Sequence, residues 1–376
     1  MSPVIGLIVN PVAGIGGPAA LKGSDGADVQ RRAIRTGAVP RSGERAAVTV
    51  RRLLARLPDL VLLAAPDRMG ERAALDCGVA GPRLRVVIET GQVTTGDDTS
   101  RAAVAMRAAG AELILFAGGD GTARDLVRGV SESVPVLGIP AGVKMQSAVF
   151  ATSPVAAAEV AIAFLARGGT MVRPREVVDI DEDCLRAGRL TARLHGHLAV
   201  PVERRRVQDR KTGSSQAAAG TAADVAAAFA AQMEPGRLYV LGPGTTMRAV
   251  ADHLGIPKTL LGVDVVTTAG LVAADVTARD LDAMVSAGTT IAVSPIGGQG
   301  FIFGRGNQQI SATALAAVGP GGIAVLCTHE KLAGLRGAPL LVDTGDPAVD
   351  ASLAGHVRVI TGRNERTIYR TRAAGG

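Results

Sequence analysis

Five consecutive residues, Gly118-Gly119-Asp120-Gly121-Thr122, carry the clearest chemistry in the sequence. An apolar run, Leu113-Ile-Leu-Phe-Ala117, leads directly into them, and a helical pattern starts near Thr122. A turn of this kind aims backbone N–H groups and the positive end of a helix dipole at one point, where phosphate is the natural occupant. Gly118, Gly119 and Gly121 lack Cβ atoms, so the backbone can approach phosphate oxygens or adopt positive φ. Thr122 offers a hydroxyl as helix cap or phosphate donor. Asp120 is the odd member, because a carboxylate beside phosphate is repelled unless it meets a metal or takes a proton from an incoming hydroxyl. Gly-Asp-Gly also makes plain tight turns with Asp as the hydrogen-bonding residue; the flanking strand and helix favour the chemical reading.

Other turns bear on the same edge. Asn10 and Gly14 end the first apolar run. In a parallel sheet the ends of the first and fourth strands meet along the carboxyl edge, which would bring both residues to the phosphates; alternatively they only terminate a strand. Lys144, just after Gly142, either neutralises a phosphate or begins a helix. Gly297, Gly298 and Gln299, in Ser294-Pro-Ile-Gly-Gly-Gln-Gly300, follow an apolar strand and could close over a second ligand or form a glycine hairpin. Thr245 and Thr246 read best as a helix cap. His195 and His197 share one side of a strand but have no third ligand, so they read as surface histidines. Cys77, Cys184 and Cys327 are far apart and make no Cys-x-x-Cys pair, which argues against a disulfide framework or a zinc knuckle. Neither a Walker-type P-loop nor a Gly-x-Gly-x-x-Gly fingerprint occurs after the first strand.

These turns need elements to hold them. Short apolar runs at 4–9, 60–64, 84–88, 113–117 and 136–139 alternate with helical patterns at 44–56 and 99–109. That alternation predicts an α/β fold with an N-terminal Rossmann-like parallel sheet and helices on both faces. From about residue 153 the pattern changes to a helix and then longer polar-alternating runs. After Arg237 it returns to strand, glycine turn and helix, so a second, mixed α/β lobe is expected. The expected organisation is a nucleotide-binding domain at 1–150, an acceptor-side domain at 151–300, and a C-terminal segment at 301–376 returning to the first domain. A chain of 376 residues exceeds what one core usually organises, which agrees with two lobes.

Composition narrows the partners. With no Trp, two Tyr and six Phe there is little on which single-stranded nucleic acid could stack, so no nucleic-acid partner is expected. The formal charge of +7 is spread widely, with local basic faces at 31–56 and 203–211, and would concentrate anionic nucleotides. No apolar stretch is long enough to span a bilayer; residues 216–232 come nearest and Asp224 interrupts them. The first ten residues read as a strand that starts at once rather than as a leader. No membrane partner and a cytoplasmic, reducing location are expected.

Val9-Asn10-Pro11-Val-Ala-Gly14-Ile-Gly16-Gly17 and the Gly-Gly-Asp-Gly-Thr turn resemble the superfamily of NAD kinases and diacylglycerol-kinase-like lipid kinases. Leu21-Lys-Gly-Ser-Asp-Gly26, Gly138-Ile-Pro-Ala-Gly-Val-Lys-Met145, Leu241-Gly-Pro-Gly-Thr-Thr246, Ser294-Pro-Ile-Gly-Gly-Gln-Gly300 and Leu341-Val-Asp-Thr-Gly345 together look like the AcoX-like branch of ATP-NAD kinases. The resemblance implies that Asp120 is the catalytic carboxylate, facing the 2′-hydroxyl of NAD, and that Gly118, Gly119, Gly121 and Thr122 line the phosphates. It also implies ATP or polyphosphate as donor and Mg²⁺ bridging the donor phosphates instead of sitting in a protein cage. A homo-oligomer is expected. The Asn-Glu or Asn-Asp pair of ordinary NAD kinases has no counterpart in residues 175–183, where Glu176 and Asp179 could accept from ribose hydroxyls or form the polar face of a strand. A kinase of another small hydroxyl compound, as in acetoin-type catabolism, and a nucleotide-binding sensor without turnover remain the alternatives.

Overall fold

The computed structural model describes residues 2–21, 27–35, 37–91, 93–142, 145–169, 171–180, 192–202 and 219–375. Five strands, Val4–Val9 (β1), Val61–Ala64 (β2), Leu84–Val86 (β3), Leu113–Gly118 (β4) and Val136–Pro140 (β5), form an all-parallel sheet in the order β3-β2-β1-β4-β5. β4 reads Leu-Ile-Leu-Phe-Ala-Gly and is buried throughout. Such an uninterrupted apolar run suits a strand covered on both faces. The cover follows from handedness: crossovers toward β2 and back toward β4 run in opposite directions, and right-handed connections then place their helices on opposite faces. Helix Ser42–Leu54 accordingly packs with Pro154–Ala166, and Gly96–Ala108 with Asp120–Gly129.

The first core does not stop at residue 150. Helix Pro154–Ala166 starts with Ser153 as its cap, the hydroxyl accepting from Ala156 N at 3.0 Å. It buries Ala157, Val160 and Phe164 with the sheet core. The antiparallel hairpin Val172–Ile180 (β6) and Ala192–Pro201 (β7) adds Val177, Leu198 and Val200 to the same cluster. Gly196 has φ +143, and a Cβ there would lie 2.8 Å from Val127, so β7 needs glycine to lie on helix Asp120–Gly129.

The second domain is a mixed nine-stranded sheet. Its strands are Tyr239–Leu241 (β8), Asp264–Thr267 (β9), Gly270–Ala273 (β10), Thr290–Val293 (β11), Phe301–Phe303 (β12), Ile323–Leu326 (β13), Leu340–Val342 (β14), Gly355–Ile360 (β15) and Arg366–Ala373 (β16), ordered β10-β9-β8-β11-β13-β15-β16-β14-β12. Short helices between them produce the α/β character expected after Arg237. The segment from residue 301 does not rejoin the first sheet: β12 to β16 pair among themselves and with β13's neighbour β11. The reason is burial, since Ile302, Phe303, Leu340, Val342 and Val359 belong to the second core.

Charged contacts join the domains. Asp343 Oδ2 accepts from Arg45 Nη2 and from Arg305 Nη2, each at 2.6 Å. Arg45 also donates to Pro140 O at the end of β5, and Arg305 Nη2 donates to Thr152 O at 3.2 Å. Arg305 is 4% exposed and lies 4.8 Å over the Phe301 ring. Burial lowers its pKa to about 10 although Asp343 opposes the shift.

Candidate functional site

The register brings the expected turns to one level. Val9 of β1 faces Ala117 of β4, and Gly118 of β4 faces Pro140 of β5, so Asn10, the 118–122 turn and Ala141 meet at the carboxyl edge. Chain crossovers leave β1 and β4 in opposite directions, which makes this the switch point where open α/β sheets hold ligands. Asn10 Nδ2 donates to Thr122 Oγ1 at 3.0 Å, while Asn10 Oδ1 accepts from Val12 N at 3.1 Å. Asn10 thereby ties the first strand's exit to the first turn of helix Asp120–Gly129.

The glycines make room first for the protein itself. A Cβ on Gly118 would overlap the Thr122 side chain, and one on Gly142 would lie 2.7 Å from Gly119 Cα. Gly14, at φ +79, approaches so closely that a Cβ would overlap Ala141 O. Three loop backbones are therefore in direct contact at this edge. Gly121 and Thr122 occupy the first turn of the helix, Thr122 fully buried at 2% exposure.

Asp120 departs from expectation. An open phosphate turn predicts an accessible carboxylate, yet Asp120 is 6% exposed. Gly142 packs on Gly119, and residues 145–147 lie over the turn with two amides directed inward. Asp120 Oδ2 accepts from Gln146 N at 2.6 Å and Oδ1 from Ser147 N at 3.0 Å. Burial pushes the Asp120 carboxyl up to about 7, against the lowering effect of the Ser147 and Gln146 hydrogen bonds, and the nearby Asp179 charge adds to the rise. A carboxylate offers about four lone-pair positions, so two amides do not exhaust it. A group titrating near neutrality is suited to take a proton from an alcohol.

The acceptor-side candidates fall into two places. Asp179 on β6 accepts from Arg124 Nη1 at 2.8 Å, one helical turn beyond Asp120. Glu176, also on β6, meets the loop over Asp120 through its main chain, where its carbonyl accepts from Ala148 N at 3.4 Å. His195 on β7 titrates below its ordinary value, chiefly through burial, with Asp179 opposing the shift. Gly297, Gly298 and Gln299 form a tight turn in which Gln299 N and Gly300 N both donate to Ile296 O. Gln299 Nε2 donates to Met145 O at 3.1 Å, so the second domain grips the very loop that covers Asp120. Lys144 and the segment at 22–26 lie outside the described residues.

Sequence reasoning missed Ser147 and Arg124. Ser147 N caps Asp120, and its hydroxyl exchanges hydrogen bonds with Val178 N and O at 3.0 Å each. Arg124, four residues after Asp120, carried a spacing signal for a shared helix face. Among the described residues no group of three or more His, Cys, Asp or Glu could hold a metal ion. Asp120 accepts from two amides and Asp179 from Arg124. A surface pocket lined by Val160, Phe164, Arg167, Met171, Pro201 and Val202 contains none of the candidate residues. No helix among the described residues is long and apolar enough to cross a membrane.

A Rossmann-like parallel sheet with a buried carboxylate at its switch point, joined to a mixed second sheet, defines a two-domain α/β protein. Family models agree in both halves. The ATP-NAD kinase N-terminal domain matches residues 5–169 and the ATP-NAD kinase C-terminal domain matches residues 235–371. The chain belongs to the ATP-NAD kinase family. No curated protein and no solved structure shows significant similarity to it.

Proposed function

We propose that the protein transfers a phosphoryl group from ATP or polyphosphate to the 2′-hydroxyl of NAD, with Asp120 accepting the hydroxyl proton. The observation that carries this reading is a single one: a buried carboxylate in the first turn of a helix at the sheet's switch point, which burial pushes up to about 7. The family supports the reaction class. Asn10, Gly14, Gly118, Gly119, Gly121, Thr122 and Lys144 are assigned to the donor phosphates, and Glu176, Asp179, Gly297, Gly298 and Gln299 to the acceptor side. Mg²⁺ enters with the donor phosphates and offsets their charge. For an acceptor hydroxyl to meet Asp120, the loop bearing Met145, Gln146 and Ser147 has to shift, and Gln299 is the handle by which the second domain can move it. The work is assigned to the cytoplasm and to a homo-oligomer.

Two observations favour other readings. The missing Asn-Glu or Asn-Asp pair points to a different small hydroxyl compound as acceptor, in the manner of the AcoX-like branch. The 6% exposure of Asp120 points to a nucleotide-binding sensor without turnover. One experiment separates the three. NAD and a panel of small alcohols are incubated with the protein, Mg²⁺ and ATP or polyphosphate, and products are identified by mass. NADP supports the first reading, another phosphorylated alcohol the second, and nucleotide binding without donor consumption the sensor.

A further inference from the structure

We infer that Arg124 and Asp179 are positioning residues for the Asp120 carboxylate, an ion pair held beside it by the helix and the Ser147–Val178 link, whose basic member governs how much of the acidic member's charge Asp120 feels. The geometry is a closed ring. Arg124 follows Asp120 by four residues on helix Asp120–Gly129, which puts both on one helix face. Its guanidinium holds Asp179 Oδ2 at 2.8 Å, with the side chains 35% and 19% exposed. Asp179 directly follows Val178, whose N–H donates to Ser147 Oγ and whose carbonyl accepts from it. Ser147 N completes the ring by donating to Asp120 Oδ1 at 3.0 Å.

The hairpin is shaped for this placement. A register shift between Val177 and Val178 interrupts the β6–β7 ladder, and both valines are buried. The extra residue is His195 on β7, and Asp179, one step further along β6, pairs with Arg193. Asp179 contributes to the upward shift of Asp120, after burial, and Arg124, by pairing with Asp179, offsets that charge. The other charged groups facing this corner are Asp125 on the helix, Glu176 on β6, and Arg193 and His195 on β7. Arg193 sits opposite Asp179 in the ladder, and His195 feels Asp179, Arg124 and Arg193 together. Gln299, which reaches the covering loop from the second domain, is neutral.

The inference rests on the reading of Asp120 as the proton acceptor, but its test need not. The Asp120 carboxyl is titrated by ¹³C NMR in the full chain, for the wild type and for Asp179→Asn, Arg124→Gln, Arg124→Lys and the double variant. Asp179→Asn is expected to lower the Asp120 midpoint by about half a unit or more, and Arg124→Gln to raise it by a similar amount, because the Asp179 charge is then no longer offset by Arg124. Arg124→Lys restores the wild-type midpoint, and the double variant follows Asp179→Asn. The pH profile of kcat/KM moves in the same directions. Midpoints that stay within about 0.2 of a unit of wild type, or that move the same way in both single variants, overturn the inference. Should Asp179→Asn fail to fold, the Arg124→Gln and Arg124→Lys pair decides it alone. If the midpoints shift as stated while no phosphoryl transfer is found, the functional reading fails and the ion-pair inference stands.

Discussion

Replacing Asp120 with Asn is expected to make the protein less sensitive to alkaline pH, and the structure sets the size of the effect. Burial raises the carboxyl from 3.8 to about 7. One pKa unit corresponds to about 1.36 kcal/mol, so holding this group ionised in the folded state costs roughly 4 kcal/mol. The folded-state value lies above the unfolded one, so the folded protein binds the proton more tightly. The penalty is therefore absent below the unfolded value of 3.8, grows as pH rises, and is complete above about 7. Asn cannot ionise and escapes it, but its amide nitrogen cannot accept from Gln146 N or Ser147 N, a pH-independent loss of about 1–3 kcal/mol. The stability of the variant relative to wild type is expected to climb by roughly 4 kcal/mol between pH 4 and pH 8. Tyr239 and Tyr369 both belong to the second domain and there is no Trp, so intrinsic fluorescence does not follow the first domain. Amide exchange along helix Asp120–Gly129 does. A stability difference that is flat across this range, or that falls as pH rises, refutes the reasoning.

Three further outcomes are expected. The kcat/KM of the wild type should rise with pH through an apparent pKa near 7, as Asp120 loses its proton; a limb near 4 in steady-state assays contradicts the buried placement. Gly14→Ala forces a Cβ toward Ala141 O at φ +79 and should destabilise the first domain by about 1–3 kcal/mol, whereas Gly43→Ala, with open space around it, should not, as read by thermal melts. Asp343→Asn leaves Arg45 and Arg305 facing each other across the domain junction without their carboxylate, and should cost about 3–5 kcal/mol in urea denaturation.

The first domain was legible because its signals are local. Apolar runs fully buried by flanking helices announce parallel strands, and residues 118–122 carry the chain from the end of β4 through Gly119 into the first turn of the helix, which starts at Asp120 instead of near Thr122. The mixed second sheet was legible in kind but not in order. Its nine strands pair across long sequence separations, β12 with β14 and β14 with β16, and short runs such as Phe301–Phe303 carry no record of their neighbours. That is also why residues 301–376 were expected to return to the first domain, whereas their strands belong to the second sheet. At the site, Asp120 was found from its motif, but its covering was not. The amides of Gln146 and Ser147 are main-chain groups without any sequence signature, and Gln299 reaches Met145 from 154 positions away. The Arg124–Asp179 pair joins residues 55 positions apart on a helix and a strand, a meeting that periodicity alone does not reveal.

The most direct test is transfer of the labelled γ-phosphoryl group of ATP to NAD at a pH above 7 with Mg²⁺, for wild type and Asp120→Asn, alongside calorimetric binding of ATP to both. The account predicts labelled NADP from the wild type and a loss of roughly 10²- to 10⁴-fold in the variant, with ATP affinity nearly unchanged. Equal turnover by the two proteins, or tight ATP binding by a wild type that transfers no label to any hydroxyl compound, contradicts it.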